Sequence, residues 1–328
     1  MNHKQALAAA GRFLKENDHF LVINHVSPDG DATGSLLAMG YILKTLGKSF
    51  TLVNEGETPK KFLTGELGNQ VQNLTAHPLE QKYNYAIALD CGDYKRLGKS
   101  AEYLAENAEL LNIDHHPTND LFGQVNLVRT DACATCEILY DLVIELGISL
   151  TVSLANNLYM GILTDTGGFR YSNTNSEVMR KAADLLSHGV KPAEIAERCL
   201  ETISSTYIRL LQLVLPTLEL SSDGKVAKLT ITQEMVESSG ASSEDMEGIV
   251  NYARNIEGVE VGILLKQVDH DLVKMSLRSR QEVDVSAIAK ALGGGGHARA
   301  AGCSFRGSLE EAGAALEQKL KEAWNDHK

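Results

Sequence analysis

No apolar run in this 328-residue chain approaches the roughly 20 residues that a membrane-spanning helix requires. The opening Met-Asn-His-Lys-Gln-Ala lacks the charged-then-apolar layout of a secretory leader. Cysteine is sparse, and five irregularly spaced thiols do not make a disulfide framework. These absences lead to the expectation of a cytoplasmic protein with no membrane partner. Basic residues are also in deficit. A formal net charge of −12 argues against a protein that coats long nucleic acid, which needs a basic stripe to neutralise many phosphates. Internal repeats, low-complexity tracts and a Pro/Ser-rich linker are absent as well.

What remains is an ordinary globular composition, 43% hydrophobic and 23% charged, in a chain long enough for two domains. Apolar runs at Phe20–Ile23, Tyr85–Leu89 and Leu110–Ile113 read as buried strands, each followed by a polar loop and a helical pattern. The alternation predicts an α/β fold with a parallel sheet and helices on both faces. Helical spacing is also present at 4–16, 34–43, 151–163, 175–188, 192–201 and 204–215. After Pro216 the texture changes to a strand at Lys225–Thr232 and a hairpin of Val259–Lys266 with Leu272–Arg278. A short helix (Asp284–Leu292), a glycine run, a strand near Cys303–Phe305 and a helix from Leu309 follow. The expected organisation is a first domain over 1–190, a helical connector over 191–217 and a smaller α/β domain over 218–328.

Polar clusters follow the apolar runs of the first domain: His25-x-x-x-Asp29-x-Asp31, Asp90-Cys-Gly-Asp93, Asp114-His115-His116 and Thr164-Asp165-Thr166. In an open parallel sheet, residues just past the strand C-termini line the ligand crevice. Carboxylates and imidazoles converging there suit a multi-metal hydrolytic centre, because hard divalent ions prefer carboxylate oxygen and imidazole shifts preference toward Mn, Fe, Co or Zn. Each segment has a plainer reading. The first is also an Asx-rich turn that caps a helix at Gly34, and Asp93 can cap the next helix. The histidine pair can be a hydrogen-bonded loop. Asp165 sits at a helix C-terminus, where its charge opposes the dipole and a cation would compensate. Cys133-Ala-Thr-Cys136 matches a redox pattern, but without a second such pair it reads as buried, incidental cysteine.

Between Lys274 and Arg306 six basic residues face two acidic ones, a local balance suited to a short anionic ligand. Alternation in Val273–Arg280 puts Val273, Met275 and Leu277 on one face and Lys274, Ser276, Arg278 and Arg280 on the other. The arginines suit phosphate, whereas for Lys274 a solvated face is the simpler reading. Gly293–Gly296 lets backbone N–H groups approach an anion, with His297 and Arg299 as further donors.

Taken in order, the four N-terminal clusters resemble the DHH phosphoesterase superfamily, named for the element seen here as Asp114-His115-His116. Gly293-Gly-Gly-Gly-His297-Ala-Arg299-Ala-Ala-Gly302 resembles the glycine-rich signature of the associated DHHA1 domain. Nearly the whole chain is covered, and the pattern is similar to the bacterial nano-RNase/pAp phosphatase group. The resemblance implies one ion held by His25, Asp29 and Asp90, and a second held by Asp31, Asp90, His115 and Asp165. Asp90 would bridge them, and His116 would contact the substrate phosphate. It implies Mn²⁺, with Mg²⁺ or Co²⁺ as substitutes. Very short RNA and 3′-phosphoadenosine 5′-phosphate (pAp) would be the substrates, gripped by Arg278, Arg280, Gly294, Gly295, Gly296, His297 and Arg299. Long nucleic acid is not expected as a partner, and a homodimer is the assembly to test for. The rival readings are a soluble cyclic or linear dinucleotide phosphodiesterase and, from another class, a nucleotide-binding sensor without turnover.

Overall fold

Residues that are apolar on both faces build the central strands, and this is what a parallel sheet sandwiched between layers requires. In the computed structural model, which describes residues 2–325, the first half opens with α1 (His3–Glu16) and β1 (Phe20–Asn24). Then come α2 (Gly30–Thr45), β2 (Phe50–Asn54), α3 (Gly65–Gly68), β3 (Gln72–Asn73) and β4 (Tyr83–Leu89). A 3-10 segment (Tyr94–Tyr103), broken by a kink at Gly98, leads into β5 (Leu104–Asp114) and β6 (Val125–Val128). Next come α4 (Thr135–Leu146), α5 (Val152–Asp165), α6 (Ser176–Ser187) and α7 (Pro192–Ala196), the last running into a π-helical turn (Glu197–Glu201). The strands form one sheet in the order β3-β2-β1-β4-β5-β6, every pair parallel. The order reverses between β1 and β4, which makes their C-terminal ends the switch point of the sheet.

Alternate residues of each strand enter separate cores. Phe20, Val22, Ile87, Leu89, Leu111 and Ile113 pack with α1, α2, α4, α5 and α6, whereas Leu21, Ile23, Ala86, Ala88 and Leu110 pack with Leu97 and the 3-10 helix. Helical cover is thus present on both faces and is much heavier on the first. α2 and α5 lie close together because glycine stands where they meet. A Cβ on Gly34 would lie 2.7 Å from the Asn157 carbonyl, and one on Gly161 would lie 2.5 Å from Asp31 Oδ1.

The chain divides into two compact units between Thr202 and Ile203. The second contains α8 (Ser205–Val214), β7 (Glu219–Leu220), β8 (Val226–Ile231), α9 (Gln233–Ser239) and α10 (Val250–Arg254). The hairpin β9 (Val261–Asp269) and β10 (Leu272–Ser279) follows, then α11 (Val285–Ala291), β11 (Gly295–His297), β12 (Ala300–Arg306) and α12 (Leu309–Asn325). The sheet order is β11-β12-β10-β9-β8-β7, antiparallel except for the parallel β8–β9 pair. Val273, Met275 and Leu277 are buried against α11 and α12, as the alternation predicts. No helix among the described residues is long and apolar enough to cross a membrane.

A buried charge network braces α4. Glu137 Oε2 accepts the Cys133 N–H at 2.7 Å, Oε1 accepts Lys181 Nζ at 2.9 Å, and Arg129 binds the same carboxylate. Lys181 also reaches Asp141 at 2.8 Å and Glu177 at 3.0 Å. Burial alone would raise the Glu137 pKa, but the Cys133 N–H and the two cations outweigh it and hold the group low. Its contribution is therefore complete above the unfolded carboxyl pKa and is lost as pH falls through the lower folded value. Glu137→Gln is expected to cost about 3 kcal/mol at pH 7, with the gap to wild type closing in acid. Urea unfolding of both proteins at pH 7 and pH 4 checks this, and an equal gap at the two pH values would contradict it.

Candidate metal centre

Where β1 ends, His25 donates Nδ1–H to the Val26 carbonyl at 2.8 Å, which leaves the lone pair on Nε2, 3.5 Å from Asp90 Oδ2. Asp29 then caps α2, its Oδ1 accepting the N–H groups of Asp31 and Ala32, both at 3.0 Å. The capping reading of this loop and its convergence on the cluster therefore coexist. The helix begins at Gly30, earlier than the Gly34 suggested by the sequence. Asp31 lies in its first turn, fully buried, with Oδ2 accepting the Thr135 N–H at 2.6 Å and Oδ1 the Cys136 N–H at 3.0 Å.

Asp90 follows β4 in a left-handed conformation, φ 57°, which Asp adopts more readily than most residues. Its N–H donates to the Ile113 carbonyl at 3.0 Å, so the turn is tied to β5. The two oxygens then face different rings. Oδ2 looks toward His25, and Oδ1 lies 3.5 Å from His115 Nε2 while accepting the Thr135 hydroxyl at 3.0 Å.

Beyond β5 the adjacent histidines serve different partners. The His115 Nδ1–H donates to the Ala132 carbonyl at 3.3 Å, and its Nε2 lies 3.3 Å from Asp165 Oδ2 at the end of α5. His116 is set at 65° to that ring. Its Nδ1 binds Asp114 Oδ1 at 2.7 Å, and Asn119 Nδ2 donates to the other Asp114 oxygen at 2.6 Å. Asp114 is wholly buried and orients His116, and its ligand atom also lies within 4.8 Å of those of Asp90 and His116. Ligand atoms of His25, Asp29 and Asp90 lie within 4.8 Å of one another, as do those of Asp31, Asp90 and His115. Asp165 adjoins the second group through His115.

Such a cluster conflicts with itself electrostatically. Burial, aided by the Asp90 charge, pushes Asp31 up to about 7, and burial with the charges of Asp31, Asp29 and Asp90 raises Asp165 well above the carboxylate range. Burial would raise Asp90 too, but the adjacent His25 imidazole and the positive fields of His115 and His116 hold it low. The carboxylates cannot all ionise on their own account, and divalent cations would remove the conflict. Oxygen-rich sets with one imidazole each fit Mn²⁺-like ions. For His116, burial is outweighed by the hydrogen bond to Asp114 and the charges of Asp90 and Asp114, which raise it to about 9. Cys133 and Cys136 are buried and their thiols are pushed well above the ordinary value by that burial, so the pair is unsuited to redox exchange.

In the second unit the basic residues are differently engaged. Arg280 donates to the carbonyls of Arg254, Asn255 and Ile256 and so closes the end of α10. Arg278 Nη1 bonds the Leu277 carbonyl at 3.0 Å, and Arg299 Nη1 bonds the Val283 carbonyl at 2.7 Å. His297 pairs with Ala300 across β11 and β12. Within the glycine run, a Cβ on Gly294 would lie 2.2 Å from the Gly302 carbonyl and one on Gly296 2.5 Å from that of Ala300, whereas Gly295 faces open space. Two residues with direct bearing on the centre, Thr135 and Asn119, escape sequence reading. Both are ordinary loop or helix-start residue types, and their partners are distant in the chain.

Residues 19–162 match the N-terminal domain of the DHH family, and residues 224–322 match the DHHA1 domain. A protein of Thermus thermophilus named bifunctional oligoribonuclease and PAP phosphatase NrnA is 38% identical over 295 residues, covering 89% of this chain and 86% of that protein. Its namesake in Bacillus subtilis is 28% identical over 299 residues, 90% of this chain and 91% of the relative. The crystal structure of an exopolyphosphatase-related protein from Bacteroides fragilis superposes with a TM-score of 0.88 at 26% identity, covering 97% of this chain and 96% of that one. With both domains present in order and a relative 38% identical over most of both chains, the chain belongs to the DHH family that carries a C-terminal DHHA1 domain.

Proposed function

We propose that this chain is a manganese-dependent phosphoesterase that degrades very short RNA to mononucleotides and converts pAp to AMP. The observation that carries the reading is Asp90, which belongs to both groups of ligand atoms, with Oδ2 toward His25 and Oδ1 toward His115. The names of the relatives, which span the same length, support the same substrates.

His25, Asp29 and Asp90 would hold one ion, and Asp31, Asp90, His115 and Asp165 the other. When bound, such a pair lowers the pKa of a shared water and withdraws charge from phosphoryl oxygens. The remaining work falls to the chain itself. His116 is anchored by Asp114, so its imidazole would present a fixed donor to a phosphate oxygen and, in its protonated form, a proton to the departing one. Burial of Asp31 and Asp114 keeps their orientations fixed before substrate arrives. In the second unit the open approach at Gly295 lets backbone N–H groups come close to an anionic oxygen, with His297, Arg299 and Arg278 as side-chain donors and Arg280 bracing the neighbouring helix.

Wild-type protein is expected to hydrolyse pAp and pApA with Mn²⁺ and to fall silent in EDTA. Longer RNA, cyclic di-AMP and pyrophosphate should be poor substrates in the same assay. Asp90→Asn and His115→Ala should each lower turnover at least about 100-fold with the fold intact by circular dichroism. Wild-type-like rates from either variant would sink the assignment. Gly295→Ala should keep its melting temperature and raise KM about tenfold, whereas Gly294→Ala should lose about 1–3 kcal/mol of stability from overpacking. Steady-state kinetics beside thermal unfolding separates the two, and an unchanged KM for Gly295→Ala would remove the glycine run from the binding site.

A further inference from the structure

The first turn of α4 delivers three hydrogen bonds to two carboxylates, one in the first turn of α2 and one just past β4. The Thr135 N–H donates to Asp31 Oδ2 at 2.6 Å, the Cys136 N–H to Asp31 Oδ1 at 3.0 Å, and the Thr135 hydroxyl to Asp90 Oδ1 at 3.0 Å. Thr135 is fully buried, so water does not compete for these bonds. The three imidazoles near Asp90 approach less closely, at 3.5, 3.5 and 3.6 Å. Rotation of a carboxylate about its terminal torsion is soft and roughly two-fold, so it takes the orientation its strongest partner imposes. Here that partner is the Thr135 hydroxyl. By engaging Oδ1 on the His115 side, it leaves Oδ2 turned toward His25.

The donor is itself held from behind. Glu137, two positions along the same turn, accepts the Cys133 N–H and pairs with Lys181 and Arg129. The loop entering α4 is thereby clamped, and the helix N-terminus adds a favourable field for the buried Asp31.

We propose that Thr135 is a positioning residue of the metal centre, whose hydroxyl sets the rotation of Asp90 so that each oxygen serves a different ion while its N–H fixes Asp31. This inference rests on the two-ion reading above. Thr135→Val removes the hydroxyl and keeps the branched shape and the N–H; Thr135→Ser keeps the hydroxyl. On full-length protein, Mn²⁺ titration calorimetry should show binding about 10- to 100-fold weaker in the valine variant and restored to within about threefold in the serine variant. For pAp hydrolysis kcat should fall with KM within about twofold of wild type, the pattern of a lost orientation rather than lost substrate contact. The melting temperature of the metal-free valine variant should stay near that of wild type. Wild-type Mn²⁺ affinity and stoichiometry in Thr135→Val would overturn the proposal, as would a serine variant as impaired as the valine one. A valine variant that loses only stability would likewise overturn it by marking Thr135 as structural. Should the valine variant fail to fold, Thr135→Ala takes its place in the same comparison. A wild-type protein that binds no Mn²⁺ would overturn the two-ion reading instead, which keeps the two failures distinct.

Discussion

Mutual repulsion among buried carboxylates is the constraint around which the first unit is organised. Asp31 and Asp165 lie near Asp90 at the switch point of a parallel sheet, where burial and like charge both oppose the ionisation of Asp31 and Asp165. The fold meets that cost with devices from every layer. The helix starts of α2 and α4 supply N–H donors, β4 ends in a left-handed turn that aims Asp90, and the histidines are oriented by carbonyls or by Asp114. None of these is needed for a stable α/β sheet. Together they leave a negative cluster that a pair of divalent ions would complete.

Much of this was legible in the chain because the central strands end in runs that are apolar on both faces and followed at once by polar residues. The ends of β1, β4 and β5 could be located from those boundaries alone. The glycine-rich signature of the second unit and the alternation in β10 were equally plain. Other parts resisted for identifiable reasons. α2 is buried on nearly every side, so apolar periodicity does not mark its start, and only the Asp29 cap does. β6 spans four residues and β3 two, too few for a periodic signal. β2 is held by its parallel pairing with β1, a contact invisible to local pattern. Thr135 lies 104 positions from Asp31 and 45 from Asp90, so its role exists only in the folded chain.

The second unit shows how a residue type can mislead about role. The alternation aligns Arg280 with Arg278, yet Arg280 lies just past β10, and its Nε and Nη2 donate to three helix-end carbonyls. A charge pattern on a strand gives the face correctly and says nothing about which cation remains for a ligand. The glycine run divides in the same way. Gly294 and Gly296 are small because β12 lies against them, and Gly295 is small with nothing opposite.

The contact at Gly161 carries a last implication. Exchanging a helical glycine for alanine is ordinarily a dependable route to a firmer protein, since it narrows the freedom of the unfolded chain. At this position the added methyl would intrude on both Asp31 and Cys136. Helix packing and ion chemistry thus draw on one shared volume, and thermal hardening of this scaffold has to be sought elsewhere along α5.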